Sequence, residues 1–203
     1  GEVVHVLGAS GSHELEMQSI LIHNGFNLAW PDEVLEECLH LPDEITAEEI
    51  ARRRDFRGIT TFTIDPITAK DFDDALSIRA LENGHTEVGV HIADVSHYVK
   101  PGTALDKEAF FRSTSVYLVD RVCPMLPEKL SNELCSLRPH EESLCYSAVF
   151  EIDEDHKVVD RWFGRTVIYS DHRFSYEAAQ EVMDTGVGPY VEELNKLNKI
   201  ARS

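Results

Sequence analysis

The chain of 203 residues carries 37 Asp and Glu against 19 Lys and Arg, a net charge of -18, with 42% hydrophobic residues. That is enough apolar material for a core in one or two domains, and no apolar run reaches the roughly 18 residues of a membrane span. The charge argues against a binder that holds nucleic acid by a basic surface, and four cysteines without Cys-x-x-Cys spacing argue against zinc or a disulfide scaffold, fitting a reducing, cytoplasmic setting.

The start, from Gly1 to Leu7, lacks the charged and apolar regions of a signal peptide and reads as a strand closed by Gly8. Gln18 to His23 reads as a second strand before the turn signal Asn24-Gly25. Thirty residues cannot complete a five-stranded barrel, so residues 1–30 are expected to be the remnant of a domain or a docking edge. Residues 31–58 form an acidic helical linker. Pro31 suits a first helical position, with Asp32 and Glu33 complementing the dipole. Thr46 to Glu49 is a capping box with Ile45 and Ile50 as its staple. Arg52, Arg53 and Arg54 follow, and pairing with the acidic helices is favoured over contact with nucleic acid. The first 50 residues contain eleven acids and no Lys or Arg, so the remaining 153 have a balance of only -7.

A β-prone run from Ile59 to Ile64 leads into a loop holding Asp65, Asp71, Asp73 and Asp74 against one cation, Lys70. Pro66 cannot donate to a ladder, so the strand should end at Asp65. An extended loop sends Phe72 one way and Asp71 and Asp73 the other; a helical turn puts Asp71 and Asp74 on one face. In both arrangements Phe72 anchors and carboxylates converge. Like charges about 4 Å apart repel by roughly 4 kcal/mol at an effective dielectric near 20. Raised pKa values or bound divalent cations relieve this, and an all-carboxylate donor set suits Mg²⁺ or Mn²⁺ rather than zinc or copper. Two such ions serve in-line displacement at phosphorus. No EF-hand loop fits, because Gly and Glu are missing at its required positions. An acidic surface turn is the plainer alternative.

Val88, Val90 and Ile92 alternate as a strand, joined to Ala75–Ile78 by a hairpin at Asn83-Gly84. His91 and His97 read as core or surface residues, and Asp94 as a turn cap rather than a further ligand. Thr103 and Asp106 open a helix through Phe110, Phe111 and Arg112; Tyr117 lies in a short strand, Ser115–Val119. After the rigid loop Pro124–Pro127 comes a helix through Leu130, Leu134 and Leu137. Tyr146, Ala148, Phe150 and Ile152 alternate in a strand that returns over Val158–Ile168. Ser175 caps a helix through Ala178, Val182 and Met183, and Pro189 starts a last one with Tyr190, Leu194 and Leu197. That helix reaches Ser203 without a stop signal, as expected of a truncated element.

Thr63 to Pro66 with Ala69 to Leu76, then Val90 to Val99, Pro101 to Asp106, Ser115 to Leu118 and Pro124 to Leu137, resemble in order the motifs of the ribonuclease II/ribonuclease R family of exoribonucleases. The resemblance implies a mixed α+β fold in which residues 59–203 are the first part of an RNB catalytic domain and residues 1–30 the end of a cold-shock β-barrel. It implies that Asp65, Asp71, Asp73 and Asp74 hold Mg²⁺, or Mn²⁺ in its place, against the scissile phosphate, with Asp73 the most critical for chemistry. It places a base-stacking aromatic at Tyr117 and, by a looser match, a ribose-selecting tyrosine near Tyr176. The implied parent is a monomeric, cytoplasmic, processive 3′-to-5′ exoribonuclease that acts on single-stranded RNA and releases nucleoside 5′-monophosphates. A transition-state arginine, a second stacking aromatic and an S1 barrel belong to family regions outside these residues, so the isolated stretch is expected to be inactive or slow. A non-catalytic RNA-binding scaffold and an acidic cation-binding module are the alternatives.

Overall fold

The computed structural model describes residues 11–203 together with Val3 and Leu7; the strand expected over residues 1–8 falls outside the described residues. In chain order the helices and strands begin with α1 (His13–His23), α2 (Asp32–Leu39), α3 (Ala47–Ala51), β1 (Arg54–Asp55), β2 (Thr61–Asp65), β3 (Asp74–Ala80) and β4 (Thr86–Ala93). Next come α4 (Val95–Tyr98), α5 (Ala104–Arg112), β5 (Val116–Tyr117) and β6 (Val122–Cys123), then a π-helical turn, Lys129–Leu134. The chain closes with β7 (Glu142–Ile152), β8 (Val158–Tyr169), β9 (His172–Ser175), α6 (Tyr176–Thr185) and α7 (Val191–Ala201).

The chain divides into two compact units, Gly1–Leu41 with Val99–Glu128, and Pro42–Tyr98 with Lys129–Ser203. In the first unit, α1 replaces the strand expected at Gln18–His23. The Ser12 hydroxyl accepts from the Leu15 amide at 3.2 Å, and Glu14 and Glu16 occupy the first turn. Capping and dipole complementarity outweigh the β propensity of Ile20 and Ile22, of which neither is buried. In α5, Thr103 caps the start as expected. Its buried Arg112 donates to the Glu108 carboxylate at 2.9 Å and lies 3.6 Å from the Trp30 ring centre. Tyr117 sits in a two-stranded ribbon of β5 and β6 and is 68% exposed.

The second unit is built on a seven-stranded mixed sheet in the order β1-β8-β7-β4-β3-β2-β9. The hairpin β3–β4 turns at Gly84, whose φ of +86° suits glycine. One sheet face is covered by α6 and α7, with Phe62, Phe174, Ala179, Val182 and Leu194 as a buried cluster. The opposite face carries buried polar groups. His91 shares hydrogen bonds with Ser147 at 2.6 Å and Ser77 at 2.8 Å, and Ser147 meets Thr166 at 2.5 Å. A side chain on Gly89 would stand 2.4 Å from the Ser77 hydroxyl and 2.6 Å from His91 Nε2, so this network requires glycine there. Burial, aided by the charge of Arg54, pushes His91 down to about 4, so the ring is neutral, as befits a core histidine.

β7 inverts one simple expectation. Its alternation is present, but Cys145, Ser147 and Val149 are the buried set, while Tyr146 is half exposed. Ile152 is buried on the other face, in a cluster with Ile78 and Val88 against which Phe150 also packs; the register shift at Glu151/Ile152 leaves the extra residue, Val159, in β8. The helix expected through Leu137 is only the π-helical turn, and Leu137 lies beyond it, fully buried. At the linker, the Thr46 hydroxyl accepts from the Glu49 amide at 3.2 Å, but the Glu49 carboxylate turns to Arg53 at 2.7 Å instead of closing the box. Arg52 pairs with Glu48 and Arg54 with Glu87.

Candidate active site

β2 and β3 run antiparallel, so the last residue of one and the first of the other, Asp65 and Asp74, end up at the same end of the sheet. The connecting loop contributes Asp71 and Asp73 between them. It has no regular structure, and its shape comes from three distant tethers. The Phe72 amide donates to the Ser136 hydroxyl at 3.1 Å, and the Leu137 amide donates back to the Phe72 carbonyl at 2.8 Å. The Ala93 amide donates to the Asp73 carbonyl at 3.0 Å, fastening the loop to the end of β4. Arg173 in β9 donates through Nη2 to the Pro66 and Ile67 carbonyls at 2.9 and 3.0 Å. Its guanidinium lies 5.1 Å from the centre of the buried Phe72 ring. Phe72 thus occupies the anchoring position expected of it.

The electrostatics follow from this packing. Asp65 is only 8% exposed and its Oδ2 is buried without a hydrogen-bond partner. The Thr63 hydroxyl stands near it on the same strand face and is also without a partner. Burial first, then the charges of Asp74 and Asp71, hold the Asp65 carboxyl above the ordinary range, against the opposing influence of Thr63 and Arg173. Asp73 reaches the surface, yet the chain around its carboxyl is crowded. Desolvation, followed by the charges of Asp71, Asp74 and Asp65, pushes it up as well. Each of these two carboxylates feels Asp71 and Asp74, so the four form one electrostatic cluster at the sheet end.

An all-oxygen, anionic donor set is the kind that hard divalent cations take, and a buried carboxylate oxygen left unbonded among like charges is a group that such a cation satisfies. By donor chemistry the residues fit. As placed, the side chains close no shell: among the described residues no group of three His, Cys, Asp or Glu is set to grip a metal ion. The four acids therefore act on one another by charge, but no three of them enclose an ion.

Tyr176 is the first residue of α6 and is exposed; it follows Ser175, which pairs with Asp65 in the β2–β9 ladder. Tyr117 belongs to the other unit. Asp94 is a turn residue, its carboxylate accepting from Ser96 at 2.6 Å and its carbonyl from the His97 amide at 2.9 Å. It is also the buried partner of Arg53 at 2.8 Å, with the Arg165 Nε at 3.4 Å; this places it in a structural ion network. Sequence reasoning did not identify Arg173 or Ser136 as supports of the loop. Arg173 sits 107 residues from Pro66 on a strand of four residues that carries no periodicity of its own.

A family model described as the RNB domain matches residues 53–203. The chain is 47% identical over 187 residues to DIS3-like exonuclease 2 of Xenopus tropicalis, covering 91% of this chain and 22% of that protein. Among solved structures it is similar to Mycoplasma genitalium RNase R in complex with double-stranded RNA, with a TM-score of 0.82 at 29% identity over 93% of this chain and 33% of that one. It is equally similar to yeast Ssd1, a pseudonuclease, with a TM-score of 0.81 at 29% identity over 97% of this chain and 25% of that one. The chain spans about a fifth of the length of the curated relatives it matches. Among the described residues, no helix is long and apolar enough to cross a membrane.

Proposed function

The chain belongs to the RNB-domain family, and from that premise we propose that it supplies the acidic centre of a Mg²⁺-dependent 3′-to-5′ exoribonuclease. The substrate is single-stranded RNA and the products are nucleoside 5′-monophosphates. The observation that carries this reading is the buried, unbonded Asp65 oxygen within a cluster of four carboxylates at one sheet end. Asp65, Asp71, Asp73 and Asp74 would hold Mg²⁺ or Mn²⁺, which polarises phosphoryl oxygens, lowers the pKa of water and offsets charge on a leaving 3′ oxygen when bound. Closing that shell requires the exposed Asp73 and Asp74 to turn towards Asp65, while the tethered loop backbone keeps them within reach. Tyr117 offers a ring for base stacking, a grip that tolerates any sequence, and Tyr176 a hydroxyl for the ribose 2′-OH. The parent protein acts as a soluble cytoplasmic monomer in this reading, and the 203-residue chain alone hydrolyses RNA slowly or not at all.

A second reading, an RNA-binding scaffold without chemistry, is favoured by the likeness to a pseudonuclease. The deciding experiment uses the full-length protein that carries this chain, with uniformly labelled single-stranded RNA and Mg²⁺. Asp73→Asn should lower kcat at least about a hundredfold with KM within threefold. Wild-type protein that releases no mononucleotides, or an Asp73→Asn rate within threefold of it, overturns the catalytic reading in favour of the scaffold.

A further inference from the structure

We propose that Arg173 is the positioning residue of the acidic centre: through its two carbonyl contacts and its seat on Phe72, it holds the Pro66–Asp73 loop in the shape from which the aspartates take a divalent cation. This inference rests on the reading of those aspartates as cation ligands.

The geometry is specific to a guanidinium. Nη2 donates to two successive carbonyls, those of Pro66 and Ile67, at 2.9 and 3.0 Å, directly after the buried Asp65. The planar group lies 5.1 Å from the Phe72 ring centre, directly before Asp73. One side chain therefore ties both ends of the acidic loop to β9. The Pro66 carbonyl also accepts from the Ala69 amide at 2.9 Å, so the arginine bonds the oxygen that closes the first turn of the loop. Neither Pro66 nor Ile67 is held by burial; both are exposed, and Pro66 has no amide to give. Among the described residues, Arg173 is what ties this half of the loop to the sheet beyond its internal turn.

The cation is also part of the arrangement. Among the described residues Arg173 pairs with carbonyls and a ring rather than with an aspartate, yet its charge acts on Asp65 against the repulsion of Asp74 and Asp71. A positive group that is anchored on carbonyls and an aromatic ring, rather than on the carboxylates, steadies the acids without occupying the oxygens that a metal ion needs. Lysine can keep the charge but lacks the planar group that bridges carbonyls and stacks on a ring.

The test uses the whole chain and two measurements. In the first, calorimetric titration with Mn²⁺ alone compares wild type, Arg173→Ala, Arg173→Lys and Val182→Ala, the last a core truncation in the helical layer. Arg173→Ala should bind Mn²⁺ at least tenfold more weakly and Arg173→Lys at an intermediate level. Val182→Ala, destabilised but with its loop intact, should bind as wild type does. In the second, amide exchange of metal-free protein should show the Ala69 amide exchanging at least tenfold faster in Arg173→Ala, and faster in Arg173→Lys if the alanine variant does not fold. Equal Mn²⁺ affinity in wild type and the arginine variants, or unchanged Ala69 exchange, overturns the proposal. Wild type that binds no Mn²⁺ while Ala69 exchange still responds identifies the failure as that of the metal reading, and with it the functional part of this one.

Discussion

Asp65→Asn separates what the acidic cluster costs the fold from what it does for the site. Asp65 is 8% exposed and its carboxyl is held up by burial and by the charges of Asp74 and Asp71. Two like charges about 8 Å apart repel by about 2 kcal/mol at an effective dielectric near 20. Solvent around the exposed Asp74 reduces this, leaving a relief of about 1–2 kcal/mol when the charge is removed. The new amide need not be orphaned, since the unpartnered Thr63 hydroxyl beside it can accept. In EDTA the variant should therefore melt about 2–8 °C higher than wild type, at two to four degrees per kcal/mol for a chain of this size. A carboxyl whose folded pKa is raised favours the folded state while it is protonated and loses that contribution as the pH rises through the folded value. The advantage of Asn should accordingly grow from pH 4 to pH 7. Mn²⁺ should reverse the order. At about a thousand times its Kd it stabilises wild type by about 4.1 kcal/mol, and the variant by less than about 1 kcal/mol. Differential scanning calorimetry at several pH values, with EDTA and with Mn²⁺, reads all of this. A variant that melts lower than wild type in EDTA at pH 7, or one that Mn²⁺ stabilises as much as wild type, would refute the reasoning.

Other outcomes follow from the same packing. Arg53 is completely buried and donates to the carbonyls of Cys145 and Thr166 while pairing with Asp94 and Glu49; Arg53→Met strands the buried Asp94 charge and should cost about 3–5 kcal/mol in urea unfolding. His91 is neutral in the folded state down to about 4, whereas an unfolded histidine takes its proton near 6.5. Its contribution is therefore complete above pH 6.5 and is lost as the pH falls towards 4, by about 3 kcal/mol in all. A histidine NMR titration that finds His91 protonating above pH 6 would contradict this. Tyr117→Ala, at an exposed position, should leave the melting temperature nearly unchanged. It should weaken single-stranded RNA binding by the full-length protein by about 1–3 kcal/mol, measured by fluorescence anisotropy; equal affinity would remove Tyr117 from the RNA-binding surface.

What the sequence determined alone is whatever depends on neighbours along the chain. Pro66 ends β2 at Asp65; Asn83-Gly84 sets the hairpin of β3 and β4; Thr46, Thr103 and Ser175 cap their helices. The four aspartates and their anchor Phe72 were legible because an acidic run between two β-prone segments is conspicuous. Only the tertiary structure decided that Gln18–His23 belongs to a helix, that Ser147 rather than Tyr146 faces the interior, and that Arg173, Ser136 and Ala93 hold the acidic loop. The physical reason is range. Caps and turns are satisfied within a few residues, so their signals are local. A strand's buried face and a loop's tethers are chosen by partners that only the folded sheet brings near: Ser147 goes inward because His91 and Thr166 await it there, and Pro66 is held because β9 lies beside β2.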